Sequence, residues 1–258
     1  MAEGGCLCGA VRFAVDGPVG SVAVCHCTQC RSWGGHVWAG SLVAAADLRL
    51  TREEGLRWYR SSATVRRGFC ADCGASLFWQ AEGEGHVSVA AGAFDPPTGL
   101  ATGKHIFTAD AGDYYAPEGP PPPPGPAPER LDCSCLCGRV AFAVPGPAGA
   151  VTACHCHQCQ RLSGAFAASF DCAESTLFWP NRDGLAEYVT PAGGRRGFCS
   201  GCGSSLYFRA ADGAFSVEAG AVKGPTGGTL SAHIFVADKG DWYGLDDGLP
   251  QQAGAGDG

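Results

Sequence analysis

Short runs in which apolar and polar residues alternate recur along this chain. In residues 10–15, Val11, Phe13 and Val15 alternate with small or polar residues, which predicts a strand with one buried face. Segments 21–27, 37–44, 56–61, 76–79 and 87–91 also predict strands, and Gly, Pro and Asp recur in the gaps between them. The sequence has no long stripe of period 3.6. We therefore predict a mainly β, mostly antiparallel fold.

The chain contains two copies of one sequence pattern. His105-Ile106-Phe107 returns 128 positions later as His233-Ile234-Phe235. Seven cysteines return 129 positions later, so that Cys6, Cys8, Cys25, Cys27, Cys30, Cys70 and Cys73 correspond to Cys135, Cys137, Cys154, Cys156, Cys159, Cys199 and Cys202. A fixed period indicates duplication. We predict domains at residues 1–115 and 131–247 that pack together as an intramolecular pseudo-dimer.

The two predicted domains are separated by a proline-rich segment. Residues 116–130 contain eight prolines, five of them consecutive. Such a sequence favours polyproline II and forms a semi-rigid spacer. We interpret it as a linker, and we predict that the small, polar residues 248–258 form a disordered tail.

Composition narrows the possible functions and compartments. The net charge of −7 disfavours sequence-independent nucleic-acid binding, which requires clustered Lys and Arg. No apolar run reaches transmembrane length, and the N-terminus lacks the pattern of a signal peptide. We therefore expect a cytoplasmic protein without nucleic-acid or membrane partners. In a reducing compartment, 16 cysteines indicate metal sites rather than disulfides.

The first predicted metal site in each copy has four cysteines. Two thiolate pairs that are distant in sequence can close a tetrahedral zinc site. Its ligands would be Cys6, Cys8, Cys70 and Cys73 in the first copy and Cys135, Cys137, Cys199 and Cys202 in the second. Because four thiolates fill the coordination shell, the role would be structural. The alternative is a set of free buried cysteines.

The second predicted site has three cysteines. If residues 21–27 form an extended strand, Cys25 and Cys27 share one face and His26 points to the opposite face. A short turn then brings Cys30 back to the two cysteines, so that three thiolates converge. Three ligands leave a fourth position open, as in catalytic zinc sites, although a distant fourth residue would make the site structural. The second copy supplies Cys154, Cys156 and Cys159. We assign no role to His157, Cys133 and Cys172, which have no counterparts in the first copy.

These motifs resemble the GFA/CENP-V family, whose type member is the glutathione-dependent formaldehyde-activating enzyme. The motifs are Cys6-Leu7-Cys8-Gly9, Cys25-His26-Cys27 with Cys30-Arg31, and Arg67-Gly68-Phe69-Cys70 with Cys73-Gly74. The second copy matches them, except that Gln160 stands where the first copy has Arg31.

The resemblance implies two β-tent (Mss-four-like) domains in tandem, each with about two zinc ions. One zinc would be structural and the one at the three-cysteine site more labile. It also implies a carbon–sulfur lyase that joins glutathione, or a similar small thiol, and formaldehyde to S-hydroxymethylglutathione. The alternatives are a non-catalytic zinc-binding interaction module and a redox or metal sensor.

Two sets of side chains are candidates for substrate binding or general-base catalysis beside the open site. Arg31, Arg67 and Arg196 could bind the carboxylates of glutathione, although exposed strand arginines are equally consistent with the sequence. Only one of each adjacent pair, Arg66-Arg67 or Arg195-Arg196, can face the site if the segment is a strand. His105 and His233 are candidate general bases or buried, hydrogen-bonded residues.

Overall fold

Each half of the chain folds into a three-stranded and a seven-stranded β-sheet, which confirms the mainly β prediction. The structure is a computed structural model and describes residues 1–255. The first half contains β1 (Ala2–Gly5), β2 (Arg12–Val15), β3 (Val22–Cys25), α1 (Thr28–Gly34), β4 (Trp38–Ala44), β5 (Leu48–Arg52), β6 (Leu56–Arg60), β7 (Val65–Cys70), β8 (Ser76–Ala81), β9 (His86–Ala90) and β10 (Thr102–Ile106).

The second half repeats these elements in the same sequence. It contains β11 (Arg130–Ser134), β12 (Ala141–Pro145), β13 (Ala150–Cys154), α2 (His157–Ser163), β14 (Ala167–Asp171), β15 (Phe178–Asn181), β16 (Leu185–Val189), β17 (Arg195–Cys199), β18 (Ser205–Arg209), β19 (Phe215–Glu218) and β20 (Thr229–Ile234). One-turn 3₁₀ helices follow β9, β10, β19 and β20, and another precedes β15.

The strand orders of the two halves are equivalent. The small sheets run β1-β2-β5 and β11-β12-β15, and the large sheets run β10-β3-β4-β9-β8-β7-β6 and β20-β13-β14-β19-β18-β17-β16. All pairs are antiparallel except β3 with β10 and β13 with β20, which are parallel. Val11, Phe13 and Val15 are fully buried, as their alternation predicts.

The two halves pack closely against each other. The Asp113 carboxylate of the first half accepts hydrogen bonds from the backbone N–H groups of Thr226 and Gly227 at 2.8–2.9 Å. The equivalent carboxylate, Asp241, accepts bonds from the N–H groups of Thr98 and Gly99 at 2.7 and 3.1 Å. This reciprocal exchange is the pattern of an isologous, two-fold interface. The halves therefore form an intramolecular pseudo-dimer in this structure.

Side chains near the cysteine clusters also cross between the halves. The Trp33 indole N–H donates to the Cys202 carbonyl at 2.8 Å, and the Ser76 hydroxyl donates to the Leu162 carbonyl at 3.2 Å. Arg161, on α2, donates to the Gly5 carbonyl at 2.8 Å. Each half thus supports the metal-site loops and the helix of the other.

Residues around the predicted linker and tail take defined positions. Residues 116–129 contain no helix or strand, and β11 begins at Arg130. The predicted disorder of the tail is wrong for residues 248–255, because Gln251 forms a bridge beside His233 and the His233 N–H donates to the Pro250 carbonyl at 2.9 Å. Backbone pairing along β20 supplies an ordering that polar composition does not reveal. Residues 256–258 of the predicted tail lie outside the described residues.

Candidate metal and active sites

Each half brings four cysteine thiols into one cluster. The loop after β1 supplies Cys6 and Cys8, and the end of β7 with the following turn supplies Cys70 and Cys73. The Sγ atom of Cys8 lies 3.5 Å from that of Cys6 and 3.7 Å from that of Cys70. A zinc tetrahedron with Zn–S bonds of about 2.3 Å has S–S edges of about 3.8 Å, so this donor set fits one closed ion.

The second half repeats this four-cysteine cluster with almost the same spacing. Its members are Cys135, Cys137, Cys199 and Cys202. Cys137 Sγ lies 3.5 Å from Cys135 Sγ and 3.7 Å from Cys199 Sγ. Both clusters fasten the three-stranded sheet to the seven-stranded sheet, which is the position expected of a structural metal.

Each half also contains a separate three-cysteine cluster. Cys25 ends β3, Cys27 precedes α1, and Cys30 lies in its first turn, where its N–H donates to Cys27 Sγ at 3.4 Å. The short helix replaces the predicted extension of the strand through Cys27. The equivalents are Cys154, Cys156 and Cys159, and within each trio all Sγ atoms lie within 4.8 Å of one another. Within residues 1–255, no fourth Cys, His, Asp or Glu ligand atom joins either trio at that distance.

The thiols of each trio stabilise one thiolate. Hydrogen bonds from Cys25 and Cys30 lower the pKa of Cys27 to about 2, and the same interaction with Cys27 raises the pKa of Cys25 to about 11. In the second trio, hydrogen bonds from Cys154 and Cys159 likewise lower the pKa of Cys156 to about 2. A trio that holds negative charge readily is suited to bind a soft divalent cation.

One arginine in each half, on β7 or β17, contacts the trio of that half. Arg67 is buried, and its two terminal nitrogens lie 3.7 and 3.8 Å from Cys30 Sγ. Arg196 Nη1 lies 3.6 Å from Cys159 Sγ. The neighbouring Arg66 instead points to solvent and bonds to Gln80, while Arg195 pairs with Glu187. Strand alternation therefore selects the second arginine of each pair.

An open cleft adjoins the trio of the second half. It has a volume of about 820 Å³, within the range of small-molecule sites. The three cysteines line it, and Arg196, Ser169 and Glu218 contribute polar groups to its wall. We call this space the second-half cleft.

The histidines proposed as general bases lie elsewhere. His105 Nδ1 is 2.9 Å from His26 Nε2, and His233 Nδ1 is 2.9 Å from His155 Nε2. His105 and His233 both line a cavity of about 420 Å³ between the halves, and neither is among the residues that line the second-half cleft. His26 points away from its trio, as predicted, and burial lowers its pKa to about 4.

The other residues singled out from the sequence lie at separate positions in the structure. Arg31 Nε donates to the Asp110 carbonyl, so this arginine braces the segment after β10. Gln160, its counterpart, donates to the Asp238 carbonyl at 2.7 Å in the same manner. His157 is exposed at the rim of the second-half cleft. Cys133 is buried outside both clusters, and Cys172 is likewise in neither.

Sequence reasoning missed Glu218 as a candidate site residue. Its side chain is 4% exposed, burial raises its pKa to about 7, and its Oε2 has no hydrogen-bond partner within residues 1–255. A residue-by-residue comparison of the copies would have found it, because the equivalent position in the first half is Ala90. A charged residue that appears in only one copy is the signal.

Comparisons with known proteins add to this geometry. The model of a family described as "Glutathione-dependent formaldehyde-activating enzyme" matches residues 1–110 and 130–238. An uncharacterized lyase of Schizosaccharomyces pombe is 29% identical over 77 residues, which are 30% of this chain and 56% of that protein. The chain therefore spans just over half the length of that relative.

A solved structure is also similar. It is the crystal structure of a Rhodobacter sphaeroides protein, which has 25% identity to this chain and a TM-score of 0.34. The match covers 40% of this chain and 99% of the Rhodobacter chain. Within residues 1–255, no helix is both long and apolar enough to cross a membrane.

Proposed function

The chain belongs to the glutathione-dependent formaldehyde-activating enzyme family, and on that premise we propose that it is a zinc-dependent carbon–sulfur lyase. It joins and separates a small thiol and an aldehyde, with glutathione and formaldehyde as the leading pair. One observation carries this proposal: in each half, three converging thiols provide an incomplete ligand set next to an arginine that contacts one of them. The four-cysteine clusters have the donor set of a closed site, so they are assigned a structural role.

The residues of the cleft suit this chemistry. When bound, zinc supplies a Lewis acid that keeps a coordinating thiol deprotonated near neutral pH. In the forward direction the sulfur lone pair forms the C–S bond, the carbonyl π electrons move to oxygen, and that oxygen takes a proton. Arg196 carries a permanent positive charge beside Cys159 and is a suitable donor for that developing oxyanion.

The reaction can be followed by NMR. Exchange between formaldehyde and S-hydroxymethylglutathione is measured with zinc-loaded protein, the double variant Cys30→Ser/Cys159→Ser, and Cys172→Ser as a matched control outside the clusters. We expect acceleration by the wild type and by Cys172→Ser, and none by the double variant. No acceleration by a fully zinc-loaded wild type would refute lyase activity on this pair, and metal release under mild peroxide would then favour a sensor.

A further inference from the structure

The two three-cysteine sites differ in what lies directly beside their first ligand. Across the strand pair β13–β14, Cys154 faces Ala167. Across the equivalent pair β3–β4, Cys25 faces Trp38. Directly opposed residues of an antiparallel pair have their side chains on the same face, about 5 Å apart. A small side chain in one half is therefore replaced by an indole ring in the other.

The Trp38 indole covers the face that forms the second-half cleft in the other copy. A Cβ placed on Gly40 would lie 2.6 Å from Trp38 Cζ3 and 2.8 Å from Cη2, so the ring occupies the space beside Gly40. Gly40 corresponds to Ser169, which lines the second-half cleft. Trp38 is only 4% exposed and packs on Trp33 with ring centroids 5.5 Å apart. The indole occupies this volume as part of the core.

Arg67 and Arg196 also differ, because Arg67 makes more hydrogen bonds to protein groups than Arg196 does. In the first half, Arg67 bonds to Gln29 Oε1 and Ser61 Oγ, both at 3.3 Å, in addition to Cys30 Sγ, and it is 2% exposed. In the second half, the Arg196 side chain hydrogen-bonds to Cys159 Sγ alone within residues 1–255, and its buried Nε has no partner there. All three nitrogens of the Arg67 guanidinium bond to protein groups, whereas Arg196 keeps an Nε–H that is unpaired in the described chain for a ligand.

Glu218, whose Oε1 accepts a hydrogen bond from the Ser205 hydroxyl at 3.4 Å, gives the second-half cleft a further unpartnered polar atom, Oε2. It faces Ser169 across the pair β14–β19, and it lines the cleft together with Arg196. Its Oε2 has no partner in the described chain, although buried polar atoms almost always have one. The first half has Ala90 at this position, paired with Gly40. Among the described residues, two unpartnered polar atoms, Arg196 Nε and Glu218 Oε2, thus belong to residues that line the second-half cleft, whereas the unpartnered buried side-chain atoms of the first half are Trp38 Nε1 and Ser41 Oγ.

We propose that the second half carries the working substrate cleft and that Trp38 closes the equivalent cleft of the first half. Each chain then binds two labile metal ions at its trios but one substrate thiol, at Cys154, Cys156 and Cys159. Arg196 and Glu218 hold the polar part of that substrate. The identity of the bound molecule as a thiol rests on the proposed function, whereas the one-sided access rests on the side chains described here.

The number of thiols bound per chain tests this proposal without measuring turnover. Cobalt-substituted protein, with its metal content fixed by elemental analysis, is titrated with 2-mercaptoethanol while the visible spectrum is recorded. We expect one thiol per wild-type chain, two for Trp38→Ala and none for Ala167→Trp. Cys172→Ser is the control and should bind one.

The outcomes separate the two proposals. Two thiols per wild-type chain, or none, would overturn the one-sided cleft. If each wild-type chain binds one thiol but does not accelerate formaldehyde exchange, the one-sided cleft is supported and only the proposed lyase function is contradicted. If Trp38→Ala or Ala167→Trp loses metal, the number of thiols bound per wild-type chain still tests the one-sided cleft. Iodoacetamide labelling of the wild-type holoprotein, followed by peptide mapping, gives a second measurement. Labelling of Cys25 as fast as Cys154 would contradict the proposal.

Discussion

The metal-site turns of the two halves are packed against each other, and one glycine substitution measures that packing. Gly203 directly follows Cys202 and has φ +77°, and a Cβ added there would lie 2.4 Å from Cγ of Phe69 in the other half. Gly138 directly follows Cys137, has φ +78°, and would place a Cβ with nothing within 4 Å. The two glycines share their backbone conformation and their place after a cysteine of the four-cysteine cluster, but only one of them lies against the other half.

The expected magnitudes follow from this difference. A left-handed conformation costs a non-glycine residue about 1–2 kcal/mol, so Gly138→Ala should lower the free energy of unfolding by about that amount. Gly203→Ala adds overpacking against Phe69, typically about 1–3 kcal/mol. We therefore expect Gly203→Ala to be less stable than Gly138→Ala by about 1–3 kcal/mol.

Urea unfolding followed by circular dichroism, at a fixed free-metal concentration, measures both variants. Shortening the opposing ring in the double variant Gly203→Ala/Phe69→Leu should recover part of the loss, which a double-mutant cycle isolates. Equal destabilisation by Gly203→Ala and Gly138→Ala would show that the halves do not press together at this point in solution.

Three further predictions concern the ligands and the buried carboxyl. Cys70→Ser should unfold the first half, whereas Cys30→Ser should leave it folded, because only the four-cysteine cluster joins the two sheets; circular dichroism showing the reverse would overturn these assignments. Elemental analysis should find about four zinc ions per chain, with two removed first by a chelator, and two or fewer in fresh protein would contradict occupied trios. Since burial raises the pKa of Glu218 from its ordinary 4.5 to about 7, its contribution to stability is full below pH 4.5 and is lost as the pH rises through 7. Glu218→Gln should therefore gain up to ~3 kcal/mol relative to wild type in urea unfolding at pH 8 compared with pH 5, and a pH-independent difference would refute this.

Much of the fold could be predicted because local patterns and the tertiary structure agree. Alternation identifies β2, β3 and β9, and it limits each adjacent arginine pair to one member that can face a trio if the segment is a strand. Cysteine spacing predicts both clusters because metal ligands must converge wherever the intervening chain runs.

The missed elements are those whose stability comes from distant partners. The strand β7 begins with Val65-Arg66-Arg67-Gly68, and its two charges and glycine do not predict a strand. It forms because β6 and β8 pair with it on both sides. The strand β10 depends on parallel pairing with β3, about 80 residues earlier in the chain. The helix α1 spans seven residues, too few to show a helical period, and its C-cap is Gly35 with φ +86°.

The tandem arrangement explains how one site can close without weakening the other. In a symmetric dimer of identical chains, a tryptophan beside the first ligand would fill both clefts, whereas a duplicated chain can change one copy alone. Trp38 also packs beyond its own half, because a Cβ on Gly164 would lie 2.6 Å from its Nε1. Gly164 is the C-cap of α2, the helix that carries Cys159. The residue that fills the first cleft thus buttresses the helix of the second, so the first half acts as a support for the open site of its partner.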